Sequence, residues 1–167
     1  MPLIKNGRLV DDPWLWVADA SPIPASGAVA VSLARWNTEQ QALLARREPL
    51  GVRLASHEMA NDLAEHLPRL SLIALEFPTF RDGRAYSTAR LVRERYGYKG
   101  ELRAVGNVLR DQFLFMVRCG FDAFEVATEQ EAAAWQKSIN EFSVWYQAAA
   151  DNRVPAARLR RLARAAE

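Results

Sequence analysis

The chain has 167 residues, half of them hydrophobic and a quarter charged, with a net charge of +2. That composition excludes a disordered chain, and the length fits a single domain. No apolar run approaches the roughly 20 residues of a membrane span, and none of signal-peptide length opens the sequence. Cys119 is the only cysteine, so no internal disulfide forms, and a soluble protein of a reducing, cytoplasmic compartment is expected.

In chain order, Ile4 to Val10 reads as a small hairpin, because Asn6-Gly7 tolerates positive φ at both turn positions. Asp12-Pro13-Trp14-Leu15-Trp16 and Ser21-Pro22-Ile23-Pro24 form an irregular, proline-broken arm whose tryptophans pack on a larger body. From Gly27 the pattern becomes regular. Strands are predicted at Val29–Leu33, Gly51–Ala55, Ser71–Phe77, Glu101–Val105 and Phe121–Val126. Helices are predicted from Asn37 to Arg47, Glu58 to Leu67, Ala85 to Tyr96, Leu109 to Arg118 and Thr128 to Ala150. In the last of these, Trp135, Ile139, Phe142 and Tyr146 share one face.

Five alternating β-α units imply an α/β fold with a parallel sheet and right-handed crossovers. Either a partial (β/α) barrel or an open doubly wound sheet accommodates that order. The organisation is an N-terminal hairpin and arm over 1–26, an α/β domain over 27–150, and a basic tail over 151–167. Of the net charge, residues 152–167 supply +4, from five arginines and Glu167, so residues 1–151 carry −2.

One charge interrupts the apolar run of each of four strands: Arg53, Glu76, Arg103 and Glu125. A charge in such a place is costly unless it is paired or hydrogen-bonded. The signs alternate along the chain. They read either as an ion-pair network fixing strand register or as the polar floor of a ligand pocket at the strand ends.

The loop Phe77 to Thr88 leaves the clearest strand and enters a helix, where α/β folds bind ligands. Arg81 and Arg84 offer fork-shaped donors and Ser87 a hydroxyl, a set able to hold sulfite, sulfate or phosphate. The same residues also suit a solvated turn with a capping serine. His57 lies at the same rim beside Ser56, and the pair suggests nucleophilic chemistry only if a third group orients the imidazole, a geometry that adjacent residues rarely have. Cys119, His57 and His66 total three ligands, fewer than a structural zinc site takes. Neither a P-loop nor a dinucleotide fingerprint occurs, so no metal and no cofactor is expected.

Several blocks together resemble a known family. They are Leu75-Glu76-Phe77-Pro78-Thr79-Phe80-Arg81-Asp82-Gly83-Arg84-Ala85-Tyr86-Ser87, then Arg95-Tyr96-Gly97-Tyr98-Lys99-Gly100-Glu101-Leu102-Arg103-Ala104-Val105-Gly106, Arg110-Asp111-Gln112, and Gly120-Phe121-Asp122-Ala123-Phe124-Glu125. Asp11-Asp12-Pro13-Trp14 is similar to the family's opening. The family is the bacterial domain of unknown function 934, sometimes labelled an oxidoreductase, and the resemblance runs from about Gly27 to Ala150. It implies a companion of sulfite reductase or of another sulfate-assimilation enzyme, and it supplies no catalytic residue.

Three functions compete. The first is an accessory protein of assimilatory sulfite reduction that docks on the reductase or helps deliver an oxyanion. The second is a small-molecule enzyme with its own oxyanion site at the strand ends. The third, nucleic-acid binding, has only the basic tail, which lacks aromatic stacking residues. Self-association into a homo-oligomer is compatible with each. An enzyme should close a deep pocket around Arg53, Glu76 and Arg103, whereas an accessory protein should expose an apolar patch.

Overall fold

A computed structural model describes residues 1–138, 142–151 and 153–165. The hairpin comprises β1 (Leu3–Lys5) and β2 (Arg8–Val10). Asn6 at φ 50° and Gly7 at φ 75° make its turn, as the dipeptide predicts. Six further strands follow: β3 (Trp14–Trp16), β4 (Ala28–Ser32), β5 (Leu50–Leu54), β6 (Leu72–Phe77), β7 (Glu101–Gly106) and β8 (Ala123–Glu125). The sheet order is β2-β1-β8-β7-β6-β5-β4-β3.

Strands β3 to β8 are parallel neighbours in chain order, and β1 joins antiparallel to β8 and β2. The sheet is therefore mixed, not purely parallel, and the fold is a curled half-barrel of eight strands with several helices. Strand order never reverses from β3 to β8, so the crevice of a doubly wound sheet does not arise.

Covalent geometry dictates the curl. β2 and β3 are opposite edges of the sheet, yet only residues 11–13 join them. Four steps of about 3.8 Å hold Val10 and Trp14 within about 15 Å, whereas a flat eight-stranded sheet would separate its edges by roughly 34 Å. The arm thus contains an edge strand, and its residues 11–13 bridge the two edges.

Helix α1 (Leu33–Leu44) begins directly at β4, where the Ser32 hydroxyl caps Arg35 N–H at 3.0 Å. The prediction from Asn37 began late, because Leu33, the first residue of the helix, ends an apolar run that reads as strand. Residues Ala60–Arg69, with Pro68 inside, form a 3₁₀ run in place of the predicted α-helix. Helix α2 (Arg84–Arg90) continues into a π turn over Leu91–Arg95. A 3₁₀ turn at Arg110–Gln112 leads into α3 (Phe113–Cys119), which ends on left-handed Gly120.

Helix α4 (Glu129–Ser138) is shorter than the predicted Thr128–Ala150, since residues 142–151 are not helical. Of the four residues assigned to its shared face, Trp135 is buried against Phe113 and Phe124, while Phe142 and Tyr146 are exposed; Ile139 lies outside the described residues. Helix α5 (Ala156–Arg164) closes the chain and buries none of its residues. Among the described residues no helix is long and apolar enough to cross a membrane.

The core is the helix-covered face of the sheet. Val29, Val31, Val52, Leu54, Ile73, Leu75, Phe77, Leu102, Ala104 and Phe124 meet Trp36, Leu63, Phe113 and Trp135 there. Gly106, at φ 91°, ends β7 where a Cβ would lie 2.6 Å from the Phe77 carbonyl oxygen. That close approach lets Asn107 N–H donate to the same carbonyl at 2.7 Å and sets the strand-end rim.

Candidate functional site

Strand alternation places Arg53, Glu76, Arg103 and Glu125 together. Arg53 and Arg103 both pair with Ala74, Arg103 also pairs with Ala123, and Glu76 and Glu125 lie two residues beyond Ala74 and Ala123. All four therefore occupy the face opposite the helix-packed one. They do not form one continuous chain of pairs. Arg53 reaches Glu76 at 2.9 Å, with the two side chains 44% and 28% exposed.

Arg103 is fully buried and turns to three carboxylates. Asp12 holds it bidentately at 2.8 and 3.0 Å, Glu101 accepts from Nε at 2.7 Å, and Glu125 stands 3.4 Å from Nη1. Lys5 pairs with Glu101 at 2.7 Å, and the Trp16 ring lies 5.7 Å from the guanidinium. Two cations face three carboxylates, which leaves one net negative charge. Burial alone would lower the Arg103 pKa, but Asp12 and Glu101 outweigh it and raise it. Burial likewise raises Glu125, against the pull of Arg103. Every donor direction of Arg103 is met by a carboxylate, so none is left for an oxyanion.

Sequence reasoning missed Lys5, Asp12 and Glu101 in this network. Glu101 carried a signal, since Glu-Leu-Arg puts it on the same strand face as Arg103. Asp12 carried none, being 91 residues from its partner.

The rim at the carboxyl ends of the strands is built from three adjacent loops, after β5, β6 and β7. In the second, Asp82 accepts from Arg84 Nε at 2.9 Å and Nη2 at 2.6 Å. It also accepts from Arg84 backbone N–H at 3.3 Å. Arg84 Nη2 further donates to Ser56 at 2.9 Å, tying this loop to the one after β5. The Arg84 hydrogen bonds, and then Ser56, hold Asp82 well below the usual carboxylate range. Arg81 is exposed, and its side chain makes no hydrogen bond or ion pair among the described residues; Ser87 and His57 are exposed as well.

Large apolar side chains stand out on the same rim: Met59 after β5, Phe80 after β6 and Leu109 after β7, exposed by 56%, 52% and 39%. Tyr86, at the start of α2, stacks edge to face on buried Phe77 and on exposed Phe115, with centroids 5.1 and 4.8 Å apart. Burial pushes the Tyr86 hydroxyl up to about 12, so it stays protonated.

The cavity that Arg53 lines, about 410 Å³, is bordered by Trp16, Asp19 and Ser32 and by neither Glu76 nor Arg103. No group of three or more His, Cys, Asp or Glu among the described residues is arranged to hold a metal ion. Cys119 is buried, and burial raises its pKa, so it is kept as the neutral thiol.

This geometry defines an α/β half-barrel with a saturated ionic interior and an open, arginine-bearing rim. The chain belongs to the family described as bacterial protein of unknown function (DUF934), whose model matches residues 51–157. The match covers β5 to β8 and the segment after α4, and it begins later than the Gly27 at which the resemblance was placed. No curated protein and no solved structure matches the chain.

Proposed function

We propose that the protein is an accessory partner of assimilatory sulfate and sulfite reduction, acting in the cytoplasm. Its strand-end rim docks on sulfite reductase or on another enzyme of that route. One observation carries the docking half of this reading: three neighbouring loops expose Met59, Phe80 and Leu109 beside Arg81 and Arg84, where an enzyme would enclose a pocket. Exposed apolar groups fringed by arginine are what a protein interface uses. The choice of partner rests on the resemblance to the family's sulfite-reduction context.

A second reading, a small oxyanion held by Arg81, Arg84 and Ser87 in an enzyme of its own, has one observation in its favour. Arg81 has no acidic partner among the described residues. Against it, the Asp82 carboxylate already occupies the position an oxyanion would take on Arg84. A partner carboxylate bound by Arg81 alone, with apolar contact at Phe80, leaves the Asp82–Arg84 pair in place.

A pull-down with purified sulfite reductase tests the proposal. The native protein retains the reductase, and the Arg81→Ala, Arg84→Ala double variant does not. Retention by neither defeats the reductase assignment. Thermal protection by millimolar sulfite, sulfate or phosphate that is lost in Arg84→Ala would instead favour the oxyanion reading.

A further inference from the structure

The rim leaves two features at other places on the surface unused, and they are complementary. The first is α5. Ala156, Leu159, Leu162 and Ala163 fall on one side of this nine-residue helix, and Arg158, Arg160, Arg161 and Arg164 on the other. Leu159 and Leu162 are 40% and 57% exposed, and none of the four arginines has an acidic partner among the described residues.

The base of the helix is nevertheless fixed. The Trp145 ring lies 4.5 and 5.0 Å from the guanidinium groups of Arg118 and Arg153. Ala156 N–H donates to the Trp145 carbonyl at 2.7 Å. A helix this short is marginal in water by itself. Among the described residues nothing buries it.

The second feature is a groove of about 510 Å³ beside edge strand β2. Met1, Leu9 and Val10 give it an apolar floor, and Asp11, Asp12 and Glu129 ring it with carboxylates. Asp12 is committed to Arg103, but Asp11 and Glu129 have no cationic partner among the described residues. An acidic groove with an apolar floor is the counterpart of a basic helix with a leucine stripe.

We infer that α5 of one copy docks in the β2 groove of a second copy, with Leu159 and Leu162 on Leu9 and Val10, and arginines on Asp11 and Glu129. The charge balance favours self-recognition: the tail carries +4 and residues 1–151 carry −2. A twofold pair satisfies both helices and both grooves at once, the commonest closed arrangement for identical chains. Nucleic acid would use the arginines and leave the leucine stripe without a role. The inference stands apart from the partner of the strand-end rim.

The test is sedimentation of the purified full chain over a range of concentrations, at low and high salt. The expected result is a dimer that dissociates on dilution and more readily in high salt. Arg158 and Arg160 bracket the leucine stripe, so Arg158→Glu with Arg160→Glu gives a monomer. Asp11→Lys with Glu129→Lys gives a monomer as well, and an equimolar mixture of the two variants recovers the dimer mass. Circular dichroism checks that each variant keeps its fold. A monomeric mass at every concentration overturns the inference, as does a dimer that survives both charge reversals. A monomer in which the groove substitutions alone lower the melting temperature overturns it too, because the helix would then be folding back on its own chain. Co-purifying nucleic acid on a monomer that the Arg158→Glu, Arg160→Glu variant releases also counts against it.

Discussion

Arg103 and Arg84 are both gripped by carboxylates at hydrogen-bond distance, and they do opposite things. Arg103 has no exposed surface, and three acids from three parts of the chain converge on it. Arg84 is 60% exposed and is held by Asp82, two residues away. The first is a joint between β7, β8 and the N-terminal arm, and the second is a donor fork shaped by its own loop. The same ion-pair chemistry fastens a fold where water is excluded and presents a surface where water remains. Burial, more than residue type, separates the structural arginine from the candidate functional one.

The strongest way to break this contrast is to remove Arg103. Arg103→Ala leaves Asp12, Glu101 and Glu125 crowded around a void with only Lys5 to offset them. Stranding buried charges costs roughly 3–5 kcal/mol, which in a chain of this size lowers the melting temperature by roughly 10 °C. Arg84→Ala should leave the melting curve close to native, because water screens the exposed pair. Equal losses in differential scanning calorimetry would contradict the distinction.

A pH series sharpens the same point. Burial raises the folded-state pKa of Glu125 above the ordinary 4.5, although Arg103 opposes the shift. The folded state therefore holds that proton more tightly than the unfolded chain. The Glu125 contribution is most favourable below 4.5 and declines as pH rises through the folded-state value. Glu125→Gln should flatten the fall in stability on going from mildly acid to neutral pH in urea titrations. An unchanged slope would mean that Glu125 is ionised throughout.

The Arg53–Glu76 pair is the intermediate case. Its alternation with Arg103 and Glu125 suggests a fully buried pair, but 44% exposure of Arg53 keeps it hydrated. Glu76→Ala should consequently cost less than about 1 kcal/mol, well below the Arg103 substitution. A loss of several kcal/mol would place Arg53 with the buried group.

These four charges mark how far the sequence can be read. A lone charge between apolar neighbours in a strand signals a polar face, and the four do share one. Strands β5, β6 and β7 lie within a residue of their predicted bounds, because their apolar runs are bounded by proline, glycine or charge. What stayed hidden depends on distant pairing. Trp14–Trp16 becomes a strand only because it pairs with Ala28–Ala30, and proline-rich surroundings mask it. Ser32 is a strand residue and a helix cap at once, which hid the start of α1. The Asp12–Arg103 contact follows from the curl that three linking residues impose, and no local pattern encodes it.

Phe80 separates the proposed partner-binding rim from the interior that holds the fold. Its ring is half exposed, so Phe80→Ala should leave the melting temperature unchanged. In a calorimetric titration with purified sulfite reductase, a docking rim requires that this variant bind at least about tenfold more weakly than the native protein, the loss of one interface anchor. Affinity equal to native, with the fold intact, would contradict it.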